Sequence, residues 1–223
     1  MKKRSIICLL IAILIVAMVP SVASAKTYTK SKTYGNVTYS ITSNSSSYYY
    51  KNKNTYITST MKWKWKYHPP VKQNDIVAMS TSDNFHVAQE AKCKGDTCVP
   101  SNIATCKITY KVAENQSVEN SKEYYPKTIS YKVYTKSSGK GAFVKFPMKK
   151  TYKIHGMNVV FYANSGTMTV KWEKSGKNYS VGLSSCYGHY NVKATPKANF
   201  SGANIDFSGK CSYGTEAYMT MKR

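Results

Sequence analysis

Met61-Lys62-Trp63-Lys64-Trp65-Lys66-Tyr67 sets Met, Trp, Trp and Tyr at alternate positions with a lysine in each gap. Successive side chains of an extended strand point to opposite sides, so the stretch reads as a strand with one apolar face and one ammonium face. A helix would scatter the same residues around its circumference. Trp63 and Trp65 are therefore expected in a core, and Lys62, Lys64 and Lys66 in water.

The same rhythm recurs outward from this stretch. Ile108, Tyr110 and Val112 alternate with Lys107, Thr109 and Lys111; Ile129, Tyr131 and Val133 repeat the pattern, as do Met168, Val170 and Trp172. Shorter candidate strands lie at 37–41, 76–80, 143–146, 157–162, 179–183, 190–194, 203–207 and 217–221. Ala163-Asn164-Ser165-Gly166, between two of these runs, predicts a hairpin turn. No stretch sustains a 3.6-residue apolar stripe; Val87–Ala91 fits one helical turn at most, and Val99–Thr105 and Asn115–Lys127 read as loops. Short two-faced strands with frequent Gly, Pro, Ser and Asn breaks predict an all-β fold. Its expected form is an antiparallel β-sandwich, jelly-roll or immunoglobulin-like.

The first 25 residues read as a signal peptide. Lys2, Lys3 and Arg4 precede an apolar run from Ser5 to Val19, Pro20 breaks it, and Ala23 and Ala25 occupy the small-residue positions of a cleavage site. The run is shorter than the roughly 20 residues of a spanning helix. The expected organisation is a signal peptide (1–25), a polar Ser/Tyr/Lys-rich segment (26–53) that is an edge strand or flexible, and one disulfide-stabilised sandwich (54–223). The product is expected outside the cell, free or associated with the cell wall.

Thirty basic residues then face ten acidic ones, a net charge of +20. All the basic residues but Arg223 are lysine. Lysine is a hydrated point charge, whereas arginine offers the flat fork that grips base edges, so a sequence-specific nucleic-acid reader is not expected. A domain of this charge attracts polyanions without a shaped site, and salt weakens the attraction. The expected partner is an anionic polymer or a membrane surface, contacted through Lys62, Lys64, Lys66, Lys107 and Lys111.

Five cysteines follow residue 25. In an exported chain they are disulfide candidates. Cys93 and Cys98 flank the turn-like Lys94-Gly95-Asp96-Thr97, and Cys186 and Cys211 stand near the ends of neighbouring strand candidates. Those two bridges are expected, with Cys106 left as a free thiol; Cys98 with Cys106 is the rival pairing. The spacing of the cysteines does not match a zinc site, and no cofactor-binding motif occurs.

Catalytic signals are poor. Asp83, His86 and Glu90 are near one another, as are Cys186 and His189, but no second ligand motif or nucleophile signature accompanies them. The leading expectation is a non-enzymatic protein that associates with anionic surfaces of a bacterial cell envelope. A membrane-active cationic toxin is the alternative, and an extracellular wall- or polysaccharide-acting enzyme the third. The toxin reading calls for a long amphipathic hairpin with two runs of about 9–11 alternating residues.

Overall fold

The computed structural model describes residues 25–67, 74–82, 84–112, 122–136, 139–177, 180–190, 197–208, 211–213 and 216–222. The expected signal peptide lies outside them, apart from residue 25.

Two antiparallel sheets pack face to face. The larger has the path β1 (Thr27–Tyr34), β2 (Val37–Asn44), β4 (Asn54–Trp65), β14 (Met157–Ser175), β9 (Ala104–Val112), β10 (Lys127–Tyr131). Short strands β3 (Tyr49–Lys51), β6 (His86–Val87) and β13 (Lys149–Ile154) join its rim. The smaller sheet runs β11 (Tyr134–Thr135), β12 (Gly141–Pro147), β5 (Asn74–Thr81), β15 (Ser180–Tyr190), β18 (Cys211–Tyr213), with β19 (Ala217–Lys222) also on β15. The β-sandwich is thus the one the alternation predicts.

Strand β4 shows how sequence becomes layer. Ile57, Met61, Trp63 and Trp65 are buried, while Lys62 and Lys64 stand in solvent. Val37, Tyr39 and Ile41 of β2 and Met168, Val170 and Trp172 of β14 continue the same inner face. Opposite them, Val77, Met79, Val144, Phe146 and Leu183 come from the smaller sheet. Residues 26–53 supply the edge strand β1 and its neighbour β2, which places Val37, Tyr39 and Ile41 in the core. On β1 the alternation turns Lys30 and Lys32 towards the core side at the sheet margin, across from Ile41 and Tyr39. Inward charges on an edge strand block addition of a further strand.

The smaller sheet is buried on both faces along β5 from Asp75 and along β15 from Val181, while β19 leaves Tyr218 and Thr220 exposed. Ile76, Ala78, Cys186 and Tyr190 point away from the main core, beneath the hairpin of β16 (Lys197–Ser201) and β17 (Asn204–Ser208). Strands β5 and β15 accordingly carry unbroken burial with no alternation.

Several expectations are corrected. Residues 163–166 do not form a hairpin turn: β14 runs straight through them for 19 residues, and the shift in pairing with β9 between Ala163 and Ser165 leaves Asn164 as a bulge. Partner strands on both sides continue the ladder there, which a turn would forfeit. Val87 ends β6 and 89–91 begin β7 (Gln89–Lys94), not a helical turn, and 99–102 belong to β8 (Thr97–Asn102), paired with β7. Pro100 is tolerated because a two-stranded hairpin has two open edges. Most of the expected loop at 115–127 lies outside the described residues.

Candidate anion-binding face

The outer face of the larger sheet is built from hydroxyls and lysines. Pairing registers align Ser31, Ser40, Lys62, Thr167, Lys107 and Ser130 in one row across β1, β2, β4, β14, β9 and β10. The next row is Thr33, Thr38, Lys64, Ser165, Thr109 and Thr128. Lys62 and Lys107 flank Thr167, so their backbones stand two strand spacings, about 10 Å, apart. Lys64 lies one pleat, about 7 Å, along β4 from Lys62.

The short side chains between these lysines leave a shallow depression of about 800 Å³, which Lys62, Lys64, Lys107, Ser165 and Thr167 line. Gly166 and Trp63 reach it from below. Glu173, the carboxylate that β14 carries on this face, lies six residues from Thr167, about 20 Å along the strand. It is 3.2 Å from His86 Nε2. Among the described residues, then, nothing acidic offsets the lysines around the depression.

The five lysines expected on a polyanion strip do not all meet. Lys62, Lys64 and Lys107 converge. Lys66 follows the end of β4 and places its Nζ 5.0 Å from the centre of the Tyr67 ring. Lys111 stands four residues along β9 from Lys107, about 13 Å away. Lys171, not singled out from the sequence, caps two stacked rings, its Nζ 5.5 Å from the Tyr49 centroid and 4.7 Å from that of Tyr56. Only the register between strands distant in sequence reveals which lysines are neighbours, and alternation within one strand carries no such signal.

Cys93 and Cys98 are bridged, opposite one another at the end of the exposed β7–β8 hairpin. The expected Cys186–Cys211 bridge does not form, and Cys186 keeps its thiol. Register places Cys211 across from Tyr190, four residues and about 13 Å along β15 from Cys186, whereas a disulfide needs Cα atoms within about 7 Å. Cys106 is a buried thiol, pushed up to about 12 by burial.

The sequence-level catalytic groupings come apart as well. His86 faces Glu173, exposed Glu90 lies 3.9 Å from Lys92, and Asp83 lies outside the described residues. Cys186 and His189 are three residues apart on one strand and leave it on opposite faces: Cys186 packs in the second core, and His189 meets the Trp65 ring at 5.6 Å.

His189 belongs instead to a buried polar cluster that sequence reasoning missed. Its Nδ1 donates to Asp75 Oδ1 at 2.8 Å, the Tyr187 hydroxyl donates to Asp75 Oδ2, and Trp65 Nε1 donates to the Tyr187 oxygen at 3.0 Å. Burial, then the Asp75 carboxylate, hold the Tyr187 hydroxyl well above the usual phenol range. The cluster ties the two sheets together, since Trp65 belongs to one and Asp75, Tyr187 and His189 to the other.

No protein-family model and no curated protein matches the chain. Similar solved structures include a pore forming protein (12% identity, TM-score 0.36, covering 88% of this chain and 90% of that one). Clostridium perfringens delta-toxin follows at 10% identity and a TM-score of 0.35, covering 88% of this chain and 87% of that one. The Clostridium perfringens NetB toxin in the membrane inserted form shares 12% identity at a TM-score of 0.31, over 88% of this chain and 94% of that one. Likeness at this level says nothing of what this chain does.

Proposed function

We propose that the protein is an exported, membrane-active cationic β-sandwich that adsorbs to anionic lipid surfaces through the outer face of its larger sheet. The observation that carries this reading is the Lys62–Thr167–Lys107 row, with Lys64 beside it and no described carboxylate nearby to neutralise it. Net charge brings the protein to any polyanion. The lysine face gives the approach an orientation.

Among the anionic surfaces that charge alone allows, a bilayer also suits the exposed rings. Tyr49 and Tyr56, which share this outer face and stack with ring centres 5.2 Å apart under Lys171, are partly exposed. Tyrosine seats an apolar ring and a wet hydroxyl at a membrane–water boundary. The apolar faces of β4 and β14 are spent on the core, and the two strands are partners without being a hairpin. Adsorption therefore asks nothing of the fold, whereas insertion of those strands would part the sheets.

Co-sedimentation of the processed protein with phosphatidylglycerol-containing vesicles at rising salt tests the reading. Binding at low salt that fades as the Debye length shrinks is expected; absence of binding at low salt overturns it. Release of a trapped dye in the same vesicles separates perforation from adsorption.

A further inference from the structure

The depression between Lys62, Lys64 and Lys107 differs from its surroundings in what its polar atoms touch. Around it, hydroxyls satisfy one another across the strands: Thr29 with Thr42 at 3.0 Å, Thr60 with Thr169 at 3.1 Å, Thr33 with Thr38 at 3.1 Å and Thr109 with Thr128 at 3.0 Å. At its centre this stops. Among the described residues, the hydroxyls of Ser40, Ser165 and Thr167 have no side-chain partner, and Lys62, Lys64 and Lys107 make no ion pair or ring contact. Trp63 Nε1, buried beneath the same spot, also has no hydrogen-bond partner. That ring lies on the core side of the sheet and fills the space a side chain at Gly166 would take.

We infer that this depression is a discrete site for the headgroup phosphate of an anionic phospholipid. The inference rests on the membrane-adsorption reading above and narrows it from a charged face to one constellation. A lysine side chain reaches about 6 Å from its Cα, so ammonium groups rooted about 10 Å apart on either side of Thr167 both reach a single group above it. Lys64 approaches the same point from a third direction, and the Thr167 and Ser165 hydroxyls donate from the floor.

The donor set suits the ligand class. Residues 26–222 contain no arginine, so an anion here meets separate ammonium point charges, the way lysine binds phosphate. A tetrahedral phosphate turns its oxygens in several directions and is matched by separate point charges plus hydroxyl donors. Short residues at 165 and 167 leave room for it to settle between the lysines instead of riding on their tips.

Two variants of equal net charge test the site. Lys62→Gln/Lys64→Gln/Lys107→Gln removes the constellation, and Lys94→Gln/Lys149→Gln/Lys153→Gln removes three exposed lysines elsewhere. Affinity for phosphatidylcholine–phosphatidylglycerol vesicles is measured for both at physiological salt. The first variant is expected to bind about tenfold more weakly or worse, and the second within about threefold of the parent. Equal losses would overturn the site while leaving surface adsorption intact. A parent protein that ignores the vesicles even at low salt would remove the adsorption reading itself.

A second measurement uses sodium glycerol phosphate as a soluble competitor. Displacement of the parent from vesicles beyond that caused by sodium chloride of equal ionic strength supports the site. Displacement no greater than that of sodium chloride overturns it.

Discussion

A Cβ added to Gly166 would stand 2.1 Å from Cζ2 of the Trp63 indole. The two residues are register partners on β14 and β4, and the ring lies where a side chain at 166 would begin. Trp63 has little freedom to withdraw, since it stacks on Phe146 at 5.7 Å and meets Tyr187 at 6.3 Å. Gly166→Ala should therefore destabilise the protein by about 2–3 kcal/mol through overpacking, against the roughly 0.5–1 kcal/mol that replacing a strand glycine would otherwise gain. Urea unfolding followed by tryptophan fluorescence measures it. An unchanged or higher midpoint would mean that the indole swings aside.

The Tyr187 hydroxyl stands between two partners that need it. Removing it with Tyr187→Phe leaves Trp65 Nε1 without an acceptor and takes a donor from Asp75, which is fully buried. Leaving buried polar groups unsatisfied costs about 1–3 kcal/mol, and more beside a charge, so a loss of about 3 kcal/mol is expected. Asp75→Asn in the Tyr187→Phe background should then cost less than it does in the parent, because the two changes remove one network. Strict additivity of the two in a double-mutant cycle would show that they act independently.

The core of the larger sheet was legible because that sheet has one wet face. Each buried residue of β4 is separated from the next by a hydroxyl or a lysine, and the period-two pattern identifies the buried set without reference to any other strand. The smaller sheet defeats the same reasoning. Ser184, Ser185, Cys186 and Tyr187 are all buried because a hairpin covers the second face, so alternation vanishes where burial is deepest. The bulge at Asn164 was misread for a related reason. Asn164-Ser165-Gly166 is turn-forming in isolation, and only flanking strands on both sides hold the chain straight. For the site, alternation could place each lysine in water, but it could not bring Lys107 next to Lys62. That needs β14 between them, and β14 lies some hundred residues from β4 in sequence.

The Cys93–Cys98 bridge closes a hairpin that contributes nothing to either core: every residue of β7 is exposed, and β8 is exposed except at its partly covered end. Reducing it should loosen that hairpin alone. Amide exchange at 89–102 is expected to accelerate on addition of a reductant, while the global unfolding midpoint shifts by less than about 0.5 kcal/mol equivalent. A large fall in the midpoint would mean that the hairpin is coupled to the sandwich.

Alkaline pH should unfold the protein through its buried acids. Burial raises the Cys106 thiol from its ordinary 9 to about 12. Tyr39, Tyr110 and Tyr187 are also raised above their ordinary 10, in each case chiefly by burial. Between about pH 9 and 12 the unfolded chain has released a Cys106 proton that the native state still holds, so stability present below pH 9 declines as pH rises through this window. Each such group contributes a slope of up to about 1.4 kcal/mol per pH unit. The tyrosines enter only near pH 10 and above, which leaves the interval from 9 to 10 mainly to thiols, Cys106 among them. Cys106→Ala is expected to be less stable than the parent at neutral pH, yet to show a shallower loss across that interval in urea titrations. Parallel curves for variant and parent between pH 9 and 10 would rule out Cys106 as the first group to act.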